Sequence, residues 1–241
     1  MRVHAIQHVE FEDSARIAEW AAQRGHALTT GMAATGEFPP VAGVDFLVVL
    51  GGPMDADDEI ASPWLHAEKH YIADCIAAGR SVLGVCLGAQ IIAEVLGGKV
   101  VRNPEKEIGW HAVHRTVFAV EEPLFARWPQ SAVVGQWHTD TFELPSGLVP
   151  ALSSEACANQ AFVFDRRVVG LQFHIEWTEH TVAVLADVGR DELEAGGRLV
   201  MSPEELVAQA PDHLDANRGL LFELLDGIAA EKLAAAGDLR S

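Results

Sequence analysis

One short segment of this chain is built for covalent chemistry. Cys86 sits at the centre of Gly84-Val85-Cys86-Leu87-Gly88, after an apolar run (Ser81-Val82-Leu83) and before a helix-forming one (Ala89-Gln90-Ile91-Ile92-Ala93-Glu94). That order predicts a strand, a sharp turn and a helix, with the thiol at the apex. A nucleophile elbow needs glycines at the flanks, because its strained turn leaves no room for side chains there. The helix that follows points its N-terminal N–H groups and positive dipole end at the sulfur, which suits an anionic nucleophile. Cys86 is therefore the candidate nucleophile.

A sulfur nucleophile acting on an amide needs a base to move a proton and a group to hold that base. Phe173-His174-Ile175-Glu176 supplies both at the end of an apolar run, Val168-Val169-Gly170-Leu171-Gln172. In an extended segment His174 and Glu176 project to one face, so the carboxylate can fix the imidazole tautomer and stabilise the imidazolium. The developing oxyanion needs donors. The backbone N–H of Leu87 is one candidate, and the Gly51-Gly52 loop at a neighbouring strand end offers the second.

These residues need a scaffold that brings strand ends together. Short β-like runs (2–7, 26–30, 46–50, 81–83) alternate with helical patterns (14–24, 63–78), which implies a parallel sheet covered on both faces. Functional crevices in such sheets lie beyond the carboxyl ends of the strands, where Gly51-Gly52 and Cys86 both fall. Runs 108–120, 132–137, 160–164 and 168–174 predict further strands joined by turns, a small antiparallel extension. The C-terminal stretch, about 178–241, reads as helical (179–188, 203–209, 212–233), with 189–201 as an exposed connector. The fold expected is α/β, doubly wound and mostly parallel, in a single domain over 1–241.

Bulk properties narrow the function classes. A net charge of -18 argues against nucleic acid or an anionic membrane as partner. Three widely spaced cysteines suggest a reducing compartment, and neither a signal peptide nor a membrane-spanning run is evident, so a cytoplasmic location is expected.

With those residues assembled, the chain resembles the class I glutamine amidotransferases, and most of all the glutaminase domain of GMP synthase. Five motifs recur in order: Gly51-Gly52-Pro53-Met54; Gly84 to Gln90; Glu107-Ile108-Gly109-Trp110; Trp137-His138-Thr139-Asp140; and Gln172 to Glu176. The resemblance implies a flavodoxin-like fold and a triad of Cys86, His174 and Glu176. It also implies an oxyanion hole from Gly52 and Leu87. Substrate-binding positions would be Gly51, Gln90 and the backbone around His138, Thr139 and Asp140. The implied substrate is glutamine or a γ-glutamyl compound, with no cofactor and no metal. Two positions depart from the family: Ile175 stands where Pro is usual, and Trp137 where GMP synthases carry Ser. No phosphate-binding Gly-rich loop is evident, so a synthetase accepting ammonia is expected on another chain.

Other chemistry-bearing residues have plainer readings. Cys75 and Cys157 lack the elbow's surroundings and read as core or incidental residues. His66 and His70 share a helix face but lack the HExxH glutamate, which favours a solvated face over a metal. His111 and His114 point to opposite faces, and His4 and His8 read as supporting or surface residues. The acidic run Asp55 to Glu59 is a candidate rim of the site. Trp110 and Trp177 read as packing residues, and Trp137 as a pocket neighbour. Alternatives to a glutaminase are a γ-glutamyl peptidase, a catalytically idle regulator of the same fold, and a general cysteine hydrolase or redox sensor.

Overall fold

The computed structural model describes residues 1–238, with side chains through residue 231. Its centre is a parallel sheet of β1 (Arg2–Gln7), β2 (Ala27–Met32), β3 (Phe46–Val49), β4 (Ser81–Val85) and β9 (Val168–Leu171). They lie in the order β2-β1-β3-β4-β9. This is the doubly wound arrangement expected, of the flavodoxin-like order. Side chains alternate between two apolar layers because strand residues alternate faces. Phe46 and Val48 of β3 pack with Ile17 and Trp20 of α1 (Ala15–Gln23) and Leu221 and Leu225 of α6 (Pro203–Asp238). Leu47 and Val49 pack on the other side, with Leu65 and Ile72 of α2 (Trp64–Ala77) and Ile92 of α3 (Leu87–Val95).

Beyond β9 the sheet turns antiparallel through β8 (Ala161–Phe164), β7 (Leu152–Ser153) and β5 (Lys99–Arg115), and β6 (Ser131–Glu143) pairs with β5. This extension is larger than its sequence suggests. β5 begins nine residues earlier than the apolar pattern at Ile108, because Lys99 to Arg102 pair with β6 ahead of the polar stretch 102–107. It stops at Arg115, and Phe118–Val120 forms a 3-10 turn instead. β6 runs on to Glu143, so His138 to Asp140 belong to a strand.

The region expected as a connector is ordered. It holds α5 (Arg190–Glu194) and β10 (Leu199–Val200), and follows α4 (Glu179–Val188) directly. Leu193 anchors it in a third apolar cluster with Ile108, Trp110, Trp177 and Leu185. α6 is also one helix where a break before Asp212 was expected, for Pro211 lies inside it. A proline there costs about 3 kcal/mol. Burying Leu206 on one side and Leu214 and Leu221 on the other returns about 1.5–3 kcal/mol each, which outweighs it.

Candidate active site

The elbow takes the shape its glycines allow. Cys86 has φ 52° and ψ -109°, a conformation costing on the order of 1–3 kcal/mol in a non-glycine residue. It is held by the Cys86 N–H donating to the Leu171 carbonyl at 2.7 Å. A Cβ at Gly84 would sit 2.5 Å from the Gly88 carbonyl oxygen, and one at Gly88 would sit 2.1 Å from that of Val49. The flanking glycines are thus required by the close passage of α3 over β3 and β4.

β9 stops at Leu171, three residues short of the strand end expected at His174, yet His174 is held in place. Its N–H donates to the Gly135 carbonyl at 2.7 Å, and its own carbonyl accepts from the Gly135 N–H at 3.0 Å. Its Nδ1 lies 2.6 Å from Glu176 Oε1, while Glu176 Oε2 accepts from the Ile175 N–H at 3.0 Å. Burial pushes the imidazole toward neutrality, but the Glu176 charge and the adjacent Cys86 sulfur outweigh it and raise the pKa well above the ordinary value. The Trp177 ring stacks on the imidazole at 4.6 Å between centroids and 19° between planes, so Trp177 is a wall of the site as well as a packing residue.

Cys86, His174, Gly52, Leu87, Gln90, His138, Thr139 and Asp140 line one cleft of about 330 Å³. Among the described residues, the Gly52 and Leu87 N–H groups donate to no protein acceptor. Gly51 packs just behind, where a Cβ would lie 3.3 Å from His174 Cε1. Gln90 Nε2 donates to the Asp140 carbonyl at 3.2 Å and to Gln172 Oε1 at 3.3 Å, and Gln172 Nε2 points at Cys86 Sγ from 3.7 Å. The Asp140 carboxylate pairs with Arg102 at the cleft margin. The His138 imidazole is spent on other contacts, lying 2.9 Å from the Asp140 carbonyl and 3.1 Å from Glu107 Oε2. Of the acidic run, Asp55 reaches the rim, whereas Glu59 pairs with Lys69.

Glu107, His138 and Cys157 each bring one ligand-type atom within 4.8 Å of the others. These atoms already have hydrogen-bond partners. Ser154 and Gln160 donate to Glu107, and Thr141 contacts Cys157 Sγ. The cluster reads as a polar support under β6.

Glu12 and Gln172 escape the sequence reading, and His8 is buried rather than on the surface. Glu12, between β1 and α1, lines the cleft, and its Oε2 lies 2.3 Å from where a Gly51 Cβ would be. Burial first, and then Glu176, raise its pKa, against the lowering influence of His174 and His8. Gln172 sat inside a quoted motif without a role. His8 lies beyond β1, where its Nδ1 is 3.0 Å from the Gly51 carbonyl and its Nε2 3.1 Å from Glu68. One signal could have found two of them, since both Glu12 and His8 follow the carboxyl end of β1, on the crevice side of the sheet.

A parallel sheet thus brings a cysteine elbow, a His–Glu pair and two unengaged amides together at one cleft. The chain belongs to the class I glutamine amidotransferase family, whose model matches residues 24–186. It is 35% identical over 215 residues to the glutamine amidotransferase-like protein YfeJ of Salmonella typhimurium, covering 86% of this chain and 90% of that one. It is also 36% identical over 139 residues to GMP synthase (glutamine-hydrolyzing) of Aliivibrio fischeri, a match that covers 57% of this chain and 25% of that enzyme. A glutamine amidotransferase structure from Thermotoga maritima superposes with a TM-score of 0.86 at 34% identity, covering 95% of this chain and 97% of that one. One from Methylobacillus flagellatus gives 0.87 at 28% identity, covering 95% and 94%. The resemblance carried by the five motifs is borne out, as is the fold. None of the described helices is long and apolar enough to cross a membrane.

Proposed function

We propose that this protein hydrolyses the γ-amide of glutamine through a thioester on Cys86. The observation that carries the reading is the convergence of a strained cysteine elbow, a His174–Glu176 pair at 2.6 Å and two unengaged amides on one cleft. In this mechanism the Cys86 thiolate attacks the γ-carbonyl carbon, and the oxyanion is received by the Gly52 and Leu87 N–H groups. His174, oriented by Glu176, protonates the departing ammonia. It then takes a proton from water, which attacks the thioester and frees glutamate and the thiol. Each oxyanion donor is worth about 2.7–4 kcal/mol of barrier. In this reading Gln90 and the β6 backbone at 138–140 hold the amino-acid end of the substrate. The GMP synthase relatives, one of them a single subunit of such an enzyme from Thermoplasma volcanium, support delivery of ammonia to a synthetase on another chain.

The test is release of free glutamate from L-glutamine and, side by side, from a γ-glutamyl dipeptide, with Cys86→Ala as control. Turnover of glutamine that vanishes in the variant is expected. A Cys86→Ala protein that keeps its activity would overturn the mechanism, and a strong preference for the dipeptide would make the enzyme a peptidase.

A further inference from the structure

His8 and Glu68 play no part in the mechanism above, yet they form a fully buried pair directly behind it, with both side chains at 0% exposure. Each ring nitrogen of His8 faces an oxygen acceptor. Nδ1 is 3.0 Å from the Gly51 carbonyl, which can only accept, and Nε2 is 3.1 and 3.3 Å from the two Glu68 oxygens. Both contacts are satisfied together when both nitrogens carry protons, as in an imidazolium facing a carboxylate and a carbonyl. The other groups facing His8 are the Trp64 ring at 5.5 Å, on α2 like Glu68, and the Glu12 carboxyl on the loop after β1.

The Gly51 carbonyl belongs to the same peptide unit as the Gly52 N–H, and that peptide is trans. In a planar trans peptide the C=O and the N–H point in opposite directions. Holding the carbonyl toward the buried histidine therefore aims the Gly52 N–H toward the cleft. A positive charge on the carbonyl side also draws electron density away from the nitrogen and makes that N–H a stronger donor, as hydrogen bonds in series polarise one another. Space reinforces the aim, since a Cβ at Gly52 would meet His8 Cβ at 2.8 Å and Leu87 Cδ2 at 3.0 Å.

We propose that His8, doubly protonated between Glu68 and the Gly51 carbonyl, is a positioning residue that orients and polarises the Gly51–Gly52 peptide as an oxyanion donor. This rests on the glutaminase reading of the same cleft. Burial pushes His8 toward its neutral form, but the hydrogen bond and charge of Glu68, the Gly51 carbonyl and Glu12 outweigh it and raise the pKa.

Glu68→Gln tests the idea, because it keeps the shape and an acceptor for Nε2 while removing the charge. Loss of an oxyanion donor lowers kcat by about 10²–10³-fold. The variant is expected to lose at least about tenfold in kcat for glutamate release, with KM within about twofold. The loss should deepen relative to wild type as pH rises, because His8 then gives up its second proton. Alkylation of Cys86 by iodoacetamide displaces iodide at carbon and forms no oxyanion, so its rate should be unchanged. Nitrogen-15 NMR of the histidine rings should find both His8 nitrogens protonated at pH 8 in wild type and one of them bare in Glu68→Gln. Wild-type activity with an unchanged kcat in the variant, or a neutral His8 in wild type, overturns the proposal alone. Equal losses of kcat and alkylation rate also overturn it, since they mean a distorted elbow. A wild-type protein that releases no glutamate overturns the functional reading, and this inference with it.

Discussion

Replacing Gly88 by alanine inserts one methyl group between α3 and the end of β3. The added carbon would stand 2.1 Å from the Val49 carbonyl oxygen and 2.7 Å from its carbon, and ordinary contact begins at 3.4 Å. The obstacle is backbone on a fully buried strand, so relief requires α3 to retreat by about 1.3 Å from a core that is otherwise closely packed. Overpacking of this kind costs about 1–3 kcal/mol, occasionally more, and here the upper end applies because no flexible side chain can yield. For a domain of this size that corresponds to a fall in Tm of roughly 6–12 °C. The Leu87 N–H moves with the helix, and a misplacement of about 1 Å can cost around a hundredfold in rate. Gly219 is the internal control. It lies on the exposed side of α6 with nothing within 4 Å of an added Cβ, so Gly219→Ala should gain about 0.5–1 kcal/mol through helix propensity. Calorimetry and glutamate release on both variants decide the matter. A Gly88→Ala protein as stable and active as Gly219→Ala would show that the close approach does not govern the elbow.

Two further substitutions probe the carboxyls around the cleft. Glu176→Gln keeps a hydrogen-bond partner for His174 but removes the charge that raises its pKa. Glutamate release should fall about 10⁴-fold, as when a triad carboxylate is neutralised, and the His174 titration followed by NMR should move down. A titration left in place would refute the assigned partnership. Glu12→Gln should stabilise the protein at neutral pH, because burial raises the Glu12 pKa and disfavours its charged form. With the folded pKa above the ordinary 4.5, the cost of that charge is absent at low pH and develops as pH rises above 4.5. The advantage of Glu12→Gln in urea denaturation should accordingly vanish below about pH 4. An advantage independent of pH would assign it to packing.

The elbow was legible because its chemistry is local. Glycines on both sides of Cys86, an apolar run before and a helical one after specify a strand-turn-helix whichever partners surround it. His174 and Glu176 were legible for a similar reason, being two residues apart with the loop backbone closing the pair. The first half of β5 and the residues beyond Trp137 in β6 were not, because Lys99 to Arg102 become strand only by pairing with 140–143. The continuity of α6 through Pro211 was hidden likewise, since the local penalty is overridden by side chains buried far away in sequence.

His8, Glu12 and Glu68 mark the boundary most clearly. Beyond the position of His8 and Glu12 after the end of β1, nothing in their neighbours along the chain distinguishes the three from surface polar residues. The register of β1 beside β3 carries His8 to the Gly51 carbonyl and Glu12 to the cleft, and the packing of α2 brings Glu68 sixty residues back to meet His8. The sequence alone determined the cysteine elbow, the adjacent His–Glu pair and the parallel α/β scaffold, because periodicity and turn chemistry act over a few residues. Tertiary structure decided which polar groups lose their water, since burial and the approach of distant charges depend on how the whole sheet is wound.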